Sequence, residues 1–143
     1  MTESDIRKYC KKIASRMTVS VIIWFIIITY QLIVGIFTLW YGYGLATLLL
    51  MIYNIIGCIK YIKNINAIKK MHTKMELKEF VSYFENLIPI CWTFLFINLV
   101  LGGILGALGN LSDLLIAYKV KKDKDMLLNT NAAPNVEENY REL

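Results

Sequence analysis

The chain has 143 residues, 57% of them hydrophobic, and carries a net charge of +5 from 16 Lys and Arg against 11 Asp and Glu. A chain this short and this apolar, with mean hydropathy +0.49, has room for one membrane domain and little else. No folded soluble domain is left to hold a nucleic-acid groove, so no nucleic-acid partner is expected despite the basic charge. All Lys and Arg except Arg141 fall in three blocks: Arg7 to Arg16, Lys60 to Lys78, and Lys119 to Lys124. Residues 17–59 between the first two blocks hold no charged side chain, and residues 86–118 between the last two hold only Asp113.

Residues 1–16 read as a basic amphipathic helix. Ile6, Tyr9, Cys10, Ile13, Ala14 and Met17 recur at helical spacing, and Arg7, Lys8, Lys11, Lys12 and Arg16 take the remaining face. Such a helix is expected in the headgroup plane of the membrane. No cleavable signal peptide is expected, because the apolar stretch from Met17 to Trp40 is too long and no small-x-small cleavage site follows it.

Residues 17–62 read as a transmembrane hairpin. As one straight helix the uncharged run would measure about 65 Å, roughly twice the hydrocarbon thickness. The turn is placed at Tyr41-Gly42-Tyr43-Gly44, where glycines permit unusual backbone and tyrosines suit the interface. Residues 63–85 read as a cytoplasmic basic linker and helix. Thr73-Lys74-Met75-Glu76 fits a capping box, and Leu77, Phe80, Val81 and Phe84 follow at helical spacing. Pro89 is expected in or near the first turn of the next span.

Residues 86–120 allow two readings. One unbroken helix would be about 50 Å long, and two spans would be short, at about 16 residues each. The basic blocks favour two, because three blocks on one side of a membrane require an even number of crossings between them. The expected fold is therefore all-α, with two transmembrane hairpins turning near Tyr41–Gly44 and near Gly102-Gly103. Four spans are expected, and three if the last region is one helix. Asn98, Gly102, Gly106, Gly109, Asp113 and Ala117 would then form a single packing stripe. Residues 121–143 read as a flexible cytoplasmic tail.

A faint internal repeat pairs Trp24 and Gln31-Leu32-Ile33-Val34-Gly35 with Trp92 and Asn98-Leu99-Val100-Leu101-Gly102.

Few polar groups lie within the apolar regions. Gln31, Asn54 and Asn98 are expected to hydrogen-bond between helices, with a polar solute path as the alternative. Asp113 is the only carboxylate there, expected to pair with Lys60 or Lys63 or to reach headgroup water, with a functional place on the same polar path as the alternative. Gly102, Gly103 and Gly106 are expected to let helix backbones approach. Interface anchors are expected among Trp24, Trp40, Tyr41, Tyr43, Tyr61 and Trp92. Cys10, Cys58 and Cys91 form neither a disulfide framework nor a metal-binding pattern, and His72 has no ligand partner nearby in sequence. No catalytic arrangement, cofactor or metal is expected.

Several of these features, over residues 20–121, resemble a loose group of small, mostly uncharacterised multi-pass membrane proteins of low-GC Gram-positive bacteria. The likeness lies in Trp24 with Gln31 and Gly35, in a glycine-containing second span that ends in lysines, in Ile97-Asn98 followed by Gly102-Gly103 and Gly106, and in Asp113-Leu114 followed by Tyr118 and Val120. The resemblance implies a bacterial cell membrane and no particular activity. The expected role is that of a non-enzymatic accessory or interaction protein, multi-pass, with both termini cytoplasmic. Its expected partners are anionic lipid headgroups, and further copies of itself or another membrane protein. A small oligomeric channel or transporter is the alternative, and an immunity-type protein against a membrane-active toxin a further one.

Overall fold

The computed structural model describes residues 3–71 and 74–128, all but residues 74 and 75 with their side chains. The described residues are helical throughout apart from short turns. Three helices are long and apolar enough to cross a membrane. Helix α1 spans Glu3–Phe37, α2 spans Tyr43–Lys70, α3 spans Lys74–Lys122, and a short α4 spans Lys124–Leu128.

The first reversal lies where glycines and aromatics predict it. A single 3-10 turn, Leu39–Tyr41, leads to Gly42 in the left-handed region at φ 78°. Trp40, Tyr41 and Tyr43 are all exposed around it. Gly44 sits directly against the carbonyl of Gly35 and the backbone nitrogen of Leu39. The two helices can meet this closely because Gly44 carries no side chain.

The second reversal lies inside α3. Gly103 adopts φ 65° and ψ −167°, a conformation essentially confined to glycine. The two arms on either side of it, residues 74–102 and 104–122, then run back along one another. Three contacts fix this arrangement. Gly106 packs on the backbone of Asn98, where an added Cβ would lie 2.7 Å from the carbonyl oxygen. Trp92 Nε1 donates to Tyr118 Oη at 3.1 Å. Lys124 Nζ pairs with Glu85 Oε1 at 2.7 Å. Residues 86–118 thus form two helical arms joined at Gly103 rather than one unbroken helix.

The ends of the helices that carry the basic blocks share a hydrophobic core. Ile6, Cys10, Ile13, Ala14 and Met17 of α1 are almost wholly buried, in one cluster with Ile65 and Ile68 of α2 and with Leu77, Phe80, Val81 and Phe84 of α3. Residues 1–16 were expected to form a separate helix in the headgroup plane. Instead, the described residues from Glu3 onward continue without a break into α1, and their apolar stripe is covered by protein. The reason is that a second apolar stripe, Leu77 to Phe84, is available at the same level. Burying two such stripes in each other releases water at about 25 cal/mol per Å².

Other differences follow from the same core. The expected linker shortens, because α2 runs on to Lys70 and buries Ile65 and Ile68. The expected tail begins later, because α4 buries Leu127 in the core; residues 129–143 lie outside the described residues, as does the Thr73 cap. Pro89 lies well inside the first arm of α3 rather than at a helix start.

Polar contacts tie the same end together. Tyr9 Oη donates to Asp123 Oδ2 at 2.9 Å, and Lys119 Nζ donates to Asp123 Oδ1 at 3.0 Å. Slight burial would raise the Asp123 pKa, but these two donors and the neighbouring lysine charges outweigh it and hold the carboxyl below its ordinary value.

Candidate functional site: the buried polar groups

Two polar clusters lie between the helices. The first joins all three amides singled out in the sequence. Gln31 Nε2 donates to Asn98 Oδ1 at 3.1 Å, while Asn54 Nδ2 donates to Gln31 Oε1 and to Asn98 Oδ1, both at 3.0 Å. Asn98 Nδ2 in turn donates to the Phe94 carbonyl at 3.0 Å. The three side chains come from α1, α2 and the first arm of α3, and each is at most 5% exposed. Gly102 lies against this triad: a Cβ there would stand 3.0 Å from Gln31 Nε2. The repeat seen in the sequence thus brings its two amides, Gln31 and Asn98, into contact.

An apolar residue at position 98 would leave Gln31 and Asn54 each short of a partner. Asn98→Leu should therefore lower stability by about 1–3 kcal/mol. Denaturant titration in mild detergent, followed by circular dichroism, measures this. A variant as stable as the parent would mean that the triad does not form.

The second cluster surrounds Asp113, on the second arm of α3. Ser20 Oγ donates to its Oδ1 at 2.6 Å and Trp24 Nε1 donates to its Oδ2 at 2.9 Å. Asp113 was expected to pair with Lys60 or Lys63 or to reach headgroup water; among the described residues neither lysine forms an ion pair with it, and it is 7% exposed. Trp24 and Tyr61, two of the candidate interface anchors, are buried beside it. Gly109 accounts for the fit of Trp24, because a Cβ on that glycine would come within 2.7 Å of the indole ring.

Ser20 carried no signal by itself. A signal exists on α1, however, where Ser20, Trp24, Ile27 and Gln31 recur at helical spacing and form one buried face. That face supplies the partners of both Asp113 and Asn98.

Beside Asp113 lies a cavity of about 300 Å³, lined by residues of α1, α2 and both arms of α3. Asn54 of the triad borders it at one limit, and Lys60 and Asn64 lie further along α2 toward its basic end. Tyr53 and Phe94 form a stacked pair in its wall, with ring centroids 4.3 Å apart.

The glycines named in the sequence serve these contacts differently. Gly102 and Gly106 pack inside the chain, whereas Gly103 faces open space and serves the reversal. The described residues contain no group of three or more His, Cys, Asp and Glu placed to hold a metal ion. Comparison of the chain with protein-family models, with curated proteins and with solved structures finds no match.

Proposed function

We propose that the chain is a non-enzymatic membrane protein with four spans. The basic helix ends and both termini face the cytoplasm, and the membrane is that of a bacterial cell, as the motifs around Trp24, Asn98 and Asp113 imply. Its role is that of an accessory protein, acting by association within the bilayer rather than by chemistry. The observation that carries this proposal is the amide triad. Its hydrogen bonds join three helices, so the polar groups serve as glue and not as the lining of a path. The basic residues exposed on α1 and α2 suit anionic headgroups at the inner surface.

Gentle extraction tests the role. Purified from its membrane in mild detergent, the chain should elute in a defined complex larger than the monomer, with a partner protein or with further copies. A clean monomer across several gentle detergents would contradict it.

One observation favours the second role, a small oligomeric channel or transporter: the cavity beside Asp113. That role requires ion or proton flux in reconstituted liposomes, and flux that falls in Asp113→Asn. The accessory role predicts no flux from either chain.

A further inference from the structure

We propose that the cavity beside Asp113 is a binding site for a small amphiphilic amine carrying a neighbouring hydroxyl. Four features of the cavity define this ligand. Asp113 supplies the acidic group, which a bound ammonium would hold in its charged form. A carboxylate offers about four acceptor positions, and Ser20 and Trp24 occupy two of them. Capacity therefore remains for an ammonium group, and among the described residues no cation pairs with this carboxylate.

The second feature is a pair of buried polar atoms left without a partner. Tyr61 Oη and Asn110 Nδ2 are each shut off from solvent with no hydrogen bond, and both residues line the cavity. Their residues are 6% and 4% exposed. Tyr61 Oη approaches Asp113 closely enough to interact with its carboxyl but makes no well-formed hydrogen bond to it, whereas Asn110 Nδ2 has no acceptor at all among the described residues. Orphaned groups of this kind are uncommon in folded proteins. Asn110 Nδ2 can only donate, so it calls for an acceptor on the ligand; a hydroxyl beside the amine answers both it and Tyr61.

The third feature is the wall. The stacked Tyr53 and Phe94 and the indole of Trp24 surround the space with aromatic surface, which suits both an apolar body and a cation held against ring faces. The fourth is size: about 300 Å³ lies at the small end of ligand pockets. Access is available where the lining residues Tyr53, Gly57, Lys60 and Ile90 are exposed. Lys60 carries the one positive charge of the lining, and its exposure lets the ammonium group stay in water away from Asp113.

The site is independent of the number of spans and of the accessory role, since it can be tested in detergent on the full chain. Phenylethanolamine is the probe, with phenylethanol as its neutral counterpart, followed by calorimetry and by tryptophan fluorescence in a chain carrying Trp40→Phe and Trp92→Phe, which leaves Trp24. Saturable binding at one site per chain is expected for the amine. Phenylethanol should bind at least about 30-fold more weakly, and Asp113→Asn should weaken the amine by a similar factor. Tyr61→Phe removes only the orphaned hydroxyl and should weaken the amine by about three- to tenfold. It decides the matter if Asp113→Asn does not fold. The proposal is overturned by absence of saturable binding at millimolar amine, by equal binding of phenylethanol, or by a Tyr61→Phe chain that binds as the parent does.

Discussion

Replacing Gly44 by alanine should destabilise the folded chain by about 3 kcal/mol, at the upper end of what overpacking costs. The added methyl would fall on the carbonyl oxygen of Gly35 and on the backbone of Leu39. Backbone atoms at a tight turn cannot step aside as a side chain can, so the α1–α2 pair must separate. Gly35→Ala should cost less, because the nearest atoms there, at 2.7 Å, belong to the flexible side chain of Leu48. Unfolding in graded denaturing detergent separates the two variants. Equal midpoints for both would mean that the close approach at Gly44 is not made.

Gly103→Ala should cost about 2 kcal/mol for a different reason. Nothing lies within 4 Å of a Cβ at Gly103, so no clash is involved. The penalty comes from the backbone alone, which an alanine adopts only under strain at φ 65° and ψ −167°. Gly57 provides the control. It too has open space around it but lies within α2, so Gly57→Ala should stabilise by about 0.5–1 kcal/mol. Opposite signs at two equally uncrowded glycines would mark Gly103 as a reversal. Stabilisation at both would indicate a helix that runs on through residue 103.

The two kinds of packing in this chain differ in how much of them could be read from residue order. The turn at Gly42 and Gly44 and the grouping of basic residues were legible, because each depends on local chemistry. The three amides were legible as a type, since isolated polar groups in apolar helices look for one another. Their pairing was not, because it depends on how α1, α2 and α3 rotate about their axes. The same holds for Ser20 and Trp24 around Asp113, which lie far from it in sequence. Residues 6–17 were legible as an apolar stripe, but a stripe fits a headgroup layer or a protein surface equally well. What decided its fate was Leu77, Phe80, Val81 and Phe84, an equal stripe at the start of α3, which α2 carries back to the same end after the reversal at Gly42. Near the basic blocks the hydrophobic effect assembles the helices. Along the apolar stretches, where lipid would match every Leu and Ile, small residues and buried hydrogen bonds take over that task.

The reversal at Gly103 and the proposed placement of all three basic blocks on one side of a membrane meet in a single labelling measurement. Single cysteines would be placed at Tyr41, Ile104 and Lys121, all exposed positions, in a background lacking Cys10, Cys58 and Cys91. In intact cells a membrane-impermeant thiol reagent should modify positions 41 and 104 and leave position 121 untouched until the membrane is permeabilised. Modification of position 121 in intact cells would contradict four spans and place the lysines at the end of α3 outside.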